Sequence, residues 1–165
     1  LGQAIEEAAS LDLKILIEKA IEAREIECGV LGNEVPEASL AGEVTYTHEF
    51  YDYEAKYQDD ATEVTIPADL PEPISEQVRS WAIRAFQAID ACGMARVDFF
   101  LERGTNRLYL NEINTIPGFT PRSMFPMLWA ASGVSYPALI DRLIVLALQR
   151  RQQRQTTQGY GKNNV

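Results

Sequence analysis

The sequence predicts an α+β domain, a mostly antiparallel sheet flanked by helices. Two alternating runs, Met94 to Glu102 and Arg107 to Asn114, flank the polar break Gly104-Thr105-Asn106 and read as a β-hairpin. Further apolar runs of strand length recur from Leu13 to Ile17, Glu25 to Leu31, Glu43 to Thr47 and Thr62 to Ile66. Longer stretches with apolar residues at helical spacing supply the flanking layer. A chain of 165 residues, 46% of them hydrophobic, suffices for one domain with a sizeable core.

Leu1 to Ser10 carries Ala4, Ile5, Ala8 and Ala9 at helical spacing, and no capping residue precedes it, so the chain reads as entered partway through a helix. Leu13 to Ile17 then reads as a strand, Glu25 to Leu31 as a second, and Leu31-Gly32-Asn33-Glu34 as the turn after it. Glu43 to Thr47 leads into His48 to Asp60, where Phe50, Tyr51, Tyr53 and Tyr57 interleave with charges in neither a helical nor a strand stripe. That pattern suits a loop folded over a site as a lid, or an aromatic satellite core with Lys56 in solvent. His48, at the loop edge, reads as structural. Thr62 to Ile66 is a strand, Pro67 to Pro73 a linker, and Ser75 the expected cap of a helix reaching Ala91, with Val78, Trp81, Ala82, Ala85, Phe86 and Ile89 as its apolar stripe. Ser123 to Ser132 and Pro137 to Arg150 are the last two expected helices, separated by Gly133. From Arg151 to Val165 the composition is polar, and a disordered tail is expected.

Charge and cysteine usage narrow the function. With 24 acidic against 15 basic residues the formal charge is −9, which argues against a nucleic acid partner, because phosphate backbones are bound by clustered Lys and Arg. Cys28 and Cys92 stand far apart, so neither a zinc site nor a disulfide framework is indicated, and a reduced cytoplasmic setting fits. No apolar run approaches the roughly 20 residues of a membrane helix, and the first residues lack a signal-peptide pattern, so no membrane partner is expected.

The hairpin carries the chemistry. Alternation places Ala95, Val97, Phe99 and Leu101 on one side of the first strand and Arg96 and Asp98 on the other. On the second strand Glu112 and Asn114 share a face, and the chain leaves through Pro117-Gly118, where a backbone can approach a ligand. Asp98, Glu112 and Asn114 are oxygen donors of the kind Mg2+ needs, and Arg96 would stand as a fixed cation beside that metal. Taken alone, the same residues also suit the solvated face of an ordinary hairpin.

Arg96-Val-Asp98, followed by Leu-Asn-Glu112-Ile-Asn114-Thr-Ile-Pro-Gly118-Phe-Thr-Pro-Arg-Ser123-Met-Phe-Pro, resembles the metal and substrate segment of D-alanine–D-alanine ligases of the ATP-grasp superfamily. Residues from about Ile15 to Gln149 follow that family's C-terminal half. The resemblance implies an ATP-grasp C-terminal domain over residues 1–150, with 1–22 as the end of the central subdomain and the hinge. It implies a cytoplasmic, ATP-dependent carboxylate-amine ligase of peptidoglycan synthesis that joins two D-alanines through an acyl phosphate. Two Mg2+ ions, or Mn2+, would be held by Asp98, Glu112 and Asn114. Glu18, Lys19, Ala20 and Ile21 would form the adenine hinge, Glu25 would bind the ribose hydroxyls, and Lys56 the ATP phosphates. Arg96 and the Gly118 N–H would stabilise the oxyanion, Tyr57 would stand beside the substrate amine, and Ser123 with Met124 would receive the second substrate's carboxylate. Without the family, Glu18 and Glu25 read as exposed strand-end acids. The family's N-terminal half has no counterpart in these residues, so the expectation is a C-terminal fragment, inactive alone, whose partner is that half and which forms a homodimer when full length. D-lactate as acceptor, or a non-catalytic nucleotide-binding fragment, are the alternatives.

Overall fold

Alternation along Ala23–Gly32, the first strand β1, puts Ile26, Cys28 and Val30 on one face and Glu25, Glu27 and Gly29 on the other. The computed structural model describes residues 1–46 and 62–160. It places β1 at the centre of a five-stranded sheet ordered β3-β2-β1-β4-β5, where β2 is Glu37–Tyr46, β3 Thr62–Thr65, β4 Gly93–Glu102 and β5 Leu108–Asn114. Every neighbouring pair is antiparallel. The apolar face of β1 and β4 buries Ile26, Cys28, Val30, Ala95, Val97, Phe99 and Leu101 against Val78, Ala82 and Phe86 of helix α2 (Glu72–Ala88). Each large side chain so buried contributes roughly 1.5–3 kcal/mol.

On the opposite face helix α3 (Met124–Ala131) packs over β1 and β2. It seats where β1 and β2 have glycine: a Cβ at Gly29 would stand 2.9 Å from Trp129 Nε1, and one at Gly42 2.8 Å from the Met124 methyl. Leu31, Phe125, Trp129 and Leu139 form the core there, the last from helix α4 (Tyr136–Tyr160). Past Gly29 and its partner Arg96, the same face turns polar with Glu27 and Asp98. The α3 roof therefore ends where the charged residues begin.

Several expectations need correction. Leu13 to Ile17 is no strand: residues 12–22 are irregular, Leu13, Leu16 and Ile17 are exposed, and none of the described strands pairs with them, so their backbone groups have no ladder to join. β2 begins at Glu37, six residues before the expected start, because Ala38-Ser-Leu-Ala-Gly42 has small side chains of low strand propensity that pairing with β1 nonetheless holds extended. α2 begins at Glu72 after Pro71, so Ser75 lies inside the helix, not at its cap; Pro73 is tolerated because first-turn N–H groups have no intrahelical acceptor. That helix ends at Ala88, and the chain turns at Asp90, whose φ is 52°.

The tail expected from Arg151 is helical through Tyr160. Gln and Arg are good helix formers, and the Gln153 amide donates to Glu34 Oε1 at 2.7 Å, anchoring this turn to the β1–β2 connection. The initial helix is as expected: α1 spans Gly2–Leu11 and buries no residue. The proposed lid, His48 to Asp60 with Lys56 and Tyr57, lies outside the described residues.

Candidate active site

Register assembles the site. β4 pairs with β1 so that Asp98 stands opposite Glu27 and Arg96 opposite Gly29, and with β5 so that Asp98 stands opposite Glu112 and Arg96 opposite Asn114. Simple alternation along β5 would not achieve this, since Leu108 and Leu110 share the parity of Glu112 yet face Leu101 and Phe99 of the core strand positions. Between Asp98 and Phe99 the register slips: Asp98 meets Glu112 while Phe99 meets Leu110, leaving Asn111 as an extra residue. That bulge flips the face on which the following side chains emerge, carrying Glu112 and Asn114 to the side of Arg96 and Asp98. The sequence carried the needed residues, but not the visible cue for the bulge.

Arg96 is the centre of the charge arrangement. Its Nε donates to Asp98 Oδ1 at 2.8 Å and its Nη2 to Asp98 Oδ2 at 2.8 Å, a two-pronged grip. The same Nε lies 2.9 Å from Glu27 Oε2, but that oxygen has no aligned hydrogen bond. Glu27 is only 8% exposed and was absent from the sequence-derived site, because one acid in Glu25-Ile-Glu27 looks like another until pairing places it opposite Asp98. Burial pushes the Glu27 carboxyl up to about 8, and the Asp98 charge adds to the rise while Arg96 opposes it. For Arg96, burial works against the charge, but the Asp98 hydrogen bond and the charges of Glu27, Asp98 and Glu112 outweigh it and raise the pKa. One cation thus faces three acids.

A divalent cation suits this surplus. Among the described residues no group of three or more His, Cys, Asp and Glu closes on one point; the candidate donors that register brings together are the Asp98 and Glu112 carboxylates and the Asn114 amide oxygen. A partial oxygen set fits Mg2+, which keeps several waters and binds through one or two carboxylates together with phosphates. The excess negative charge and the partly buried position of Asp98 and Asn114 fit the same ion.

The remaining predicted residues fall into two groups. Gly118 and Ser123 share a tight loop: a Cβ at Gly118 would meet Ser123 Oγ at 3.0 Å, and that oxygen accepts from the Thr120 N–H at 3.1 Å. Ser123 is the N-cap of α3, but its hydroxyl serves the loop, not the helix. Phe119 ties the loop to the core through Phe125 and Tyr136, with ring centroids 6.1 and 5.6 Å apart. Glu18, Lys19 and Ala20 are exposed and Ile21 half-buried in the irregular approach to β1, which is pinned where the Arg103 N–H donates to the Glu22 carbonyl at 2.9 Å. Glu25 lies on β1 on the same face as Glu27 and acts on its charge. Lys56 and Tyr57 are outside the described residues. A groove of about 770 Å3 lies elsewhere, between the β1–β2 turn and α4, and is lined by none of Arg96, Asp98 and Glu112. The acid cluster occupies an open sheet face.

The chain is similar to known proteins along most of its length. Residues 1–145 match the family described as D-ala D-ala ligase C-terminus. The D-alanine–D-alanine ligase of Acetivibrio thermocellus is 55% identical over 150 residues, covering 91% of this chain and 40% of the relative. The solved D-alanine-D-alanine ligase of Coxiella burnetii superposes with a TM-score of 0.81 at 42% identity over 94% of this chain and 40% of that one. The Bacillus anthracis D-alanine–D-alanine ligase complexed with ATP does so with a TM-score of 0.75 at 29% identity, over 92% of this chain and 48% of that one. The fold is that of the C-terminal part of an ATP-grasp ligase. The chain belongs to the D-alanine–D-alanine ligase C-terminal family. It spans 40% to 49% of the length of the curated relatives it matches.

Proposed function

We propose that this chain is the metal- and phosphate-handling part of a cytoplasmic ATP-dependent ligase that joins two D-alanines into the dipeptide used in peptidoglycan synthesis. The observation that carries the reading is the cross-strand square of Arg96, Asp98, Glu112 and Asn114, in which register supplies oxygen donors and one fixed cation on one face. Among the described residues no single helix is long and apolar enough to cross a membrane; α3 and α4 pass only as a pair bent by 104°.

Phosphoryl transfer asks little covalent work of a protein, so catalysis rests on positioning and on charge. Asp98, Glu112 and Asn114 would together hold the two cations. Mg2+ or Mn2+ held there would supply neutralisation of phosphate charge; the carboxylate of the first D-alanine attacks the γ-phosphate, the bond to ADP breaks and an acyl phosphate forms. Arg96 would then face the oxyanion formed when the second D-alanine's amine attacks the acyl phosphate, and the Gly118 N–H would face it from the loop, until inorganic phosphate leaves and the amine gives up its proton. A single such donor contributes on the order of 3 kcal/mol. Glu18 to Ile21 and Glu25 would hold the adenosine, Lys56 the phosphates and Tyr57 the substrate amine, while Ser123 and Met124 receive the second carboxylate. The complete protein is a homodimer in this reading.

Because the chain covers less than half of its relatives, we propose that residues 1–165 alone bind Mg·ATP weakly and make no dipeptide. The first D-alanine would lack part of its site, and the acyl phosphate would meet water. The test joins this segment to a complementary N-terminal part and follows dipeptide and phosphate. Glu112→Gln should abolish turnover at limiting Mg2+; unchanged turnover would refute the metal assignment, and D-lactate used in preference to D-alanine would shift the acceptor.

A further inference from the structure

Among the described residues Glu27 is the buried carboxylate on the polar half of the sheet that has no role in the reading above. It is not in the proposed cation set: Asp98, Glu112 and Asn114 stand on β4 and β5, and Glu27 lies beside Asp98 on the neighbouring strand β1, 8% exposed. A buried acid is costly to keep unless something compensates it. Its close contact is the Arg96 Nε at 2.9 Å.

The grip on Arg96 by Asp98 uses both carboxylate oxygens and the Nε–Nη2 edge of the guanidinium. Asp98 is also a cation donor in the proposed function. When a cation draws on that carboxylate, its hold on the guanidinium weakens, and the cation repels Arg96. On the far side Arg96 borders Gly29, over which Trp129 and Phe125 close, so the aromatic roof offers bulk but no negative charge. Glu27 is the acid that remains.

We propose that Glu27 is a positioning residue for Arg96, holding the guanidinium against β1 so that its orientation persists when Asp98 engages a cation. Three features carry it: the cross-strand placement of Glu27 opposite Asp98, the 2.9 Å contact, and burial that keeps Glu27 from serving as a ligand itself. The inference rests on the proposed function for its catalytic consequence, but not for its geometry. Glu27→Gln keeps the shape and removes the carboxyl. Glu27→Asp keeps the carboxyl and shortens the reach.

Two measurements separate the readings. In the 165-residue chain, the Arg96 Nε–H resonance, assigned by its loss in Arg96→Lys, is followed for hydrogen exchange in 15N NMR with and without Mg2+. Glu27→Gln should speed that exchange severalfold, most in the presence of Mg2+, and Glu27→Asp should restore part of the protection. In the complete ligase Glu27→Gln should lower kcat by about 10- to 100-fold, the range seen for residues that orient a site from behind, with the KM for ATP little changed. Unchanged exchange in Glu27→Gln overturns the proposal, and so does faster exchange with wild-type kcat. A complete ligase without D-alanine-dependent turnover overturns the functional reading instead, and the exchange measurement still decides the role of Glu27.

Discussion

Arg24 and Arg96 stand on neighbouring strands of one sheet in opposite electrostatic settings. Arg24 forks onto a single acid, Nε to Glu43 Oε1 at 2.7 Å and Nη2 to Glu43 Oε2 at 2.6 Å, and also donates to the Asp69 carbonyl at 2.9 Å. Its hydrogen bonds hold the Glu43 carboxyl below its ordinary range. Arg96 makes the same fork with Asp98, but Glu27 and Glu112 add two further acids, and the buried Glu27 rises to about 8. The first pair neutralises itself and ties β1 to β2. The second leaves surplus negative charge, and a carboxyl pushed up beside one held by a cation marks a place built for an additional positive charge. Fork geometry alone does not tell a structural pair from a functional one; the count of acids around the arginine does.

The sharpest way to break that distinction is to remove each arginine in a complete ligase. Arg96→Met should lower kcat by on the order of 10²- to 10³-fold, the loss expected for a donor aimed at developing charge, with a much smaller change in the KM for ATP. Arg24→Met should leave kcat near wild type and act on stability alone. Steady-state kinetics with both variants checks it. Equal losses would show that Arg24 also serves the chemistry, and the contrast would collapse.

Which parts of this were readable beforehand follows from how local each signal is. The hairpin, the buried alternation of Ala95, Val97, Phe99 and Leu101, and the pairing of Glu112 with Asn114 on one face were legible because period-two patterning and Gly104 and Asn106, with φ of 76° and 55°, are local. The bulge at Asn111 was not, since it exists only relative to β4. Glu27 was missed for the same reason: burial and a partner two strands of sequence away distinguish it from Glu25. Leu13 to Ile17 misled because its composition suits a strand, whereas a strand also needs a neighbour that the sequence cannot exhibit. The helix past Arg150 was hidden by polarity, because its hold on Glu34 is tertiary.

A second test turns on stability and has opposite signs for the two acids. Glu27 titrates near 8 in the folded chain against an ordinary 4.5, so between those values the native state keeps a proton that the unfolded state releases. Stability contributed by this group is present below about 4.5 and is lost as the pH rises toward 8. In chelator-containing buffer at pH 8, Glu27→Gln should therefore stabilise the chain, because ionising the buried carboxyl costs about 1.4 kcal/mol per unit of raised pKa and the amide does not ionise. Thermal unfolding at pH 5 and pH 8 measures it. A variant less stable than wild type at pH 8 would mean that Arg96 compensates Glu27 fully, and the surplus of charge would be only nominal. A stabilised variant with impaired positioning would be the trade expected of a functional residue.

The smallest effect is expected at Glu43, where the sign reverses. Its folded pKa is lowered, first by the Arg24 hydrogen bond, so the native state stays ionised at acidities where the unfolded chain has begun to bind a proton. The stability from this pair is present above the ordinary carboxyl value and is lost as the pH falls through the lower folded value. Solvent screens a pair at this sheet margin, so Glu43→Gln should cost no more than about 1 kcal/mol at pH 7 and nothing at the acid end. Urea titrations at pH 7 and at pH 3 compare the two chains. A loss that persists undiminished at pH 3 would show that Glu43 acts by packing and by its hold on Arg24's position, not by charge, and the self-neutralising pair would cease to be the electrostatic counterpart of Arg96 and its acids.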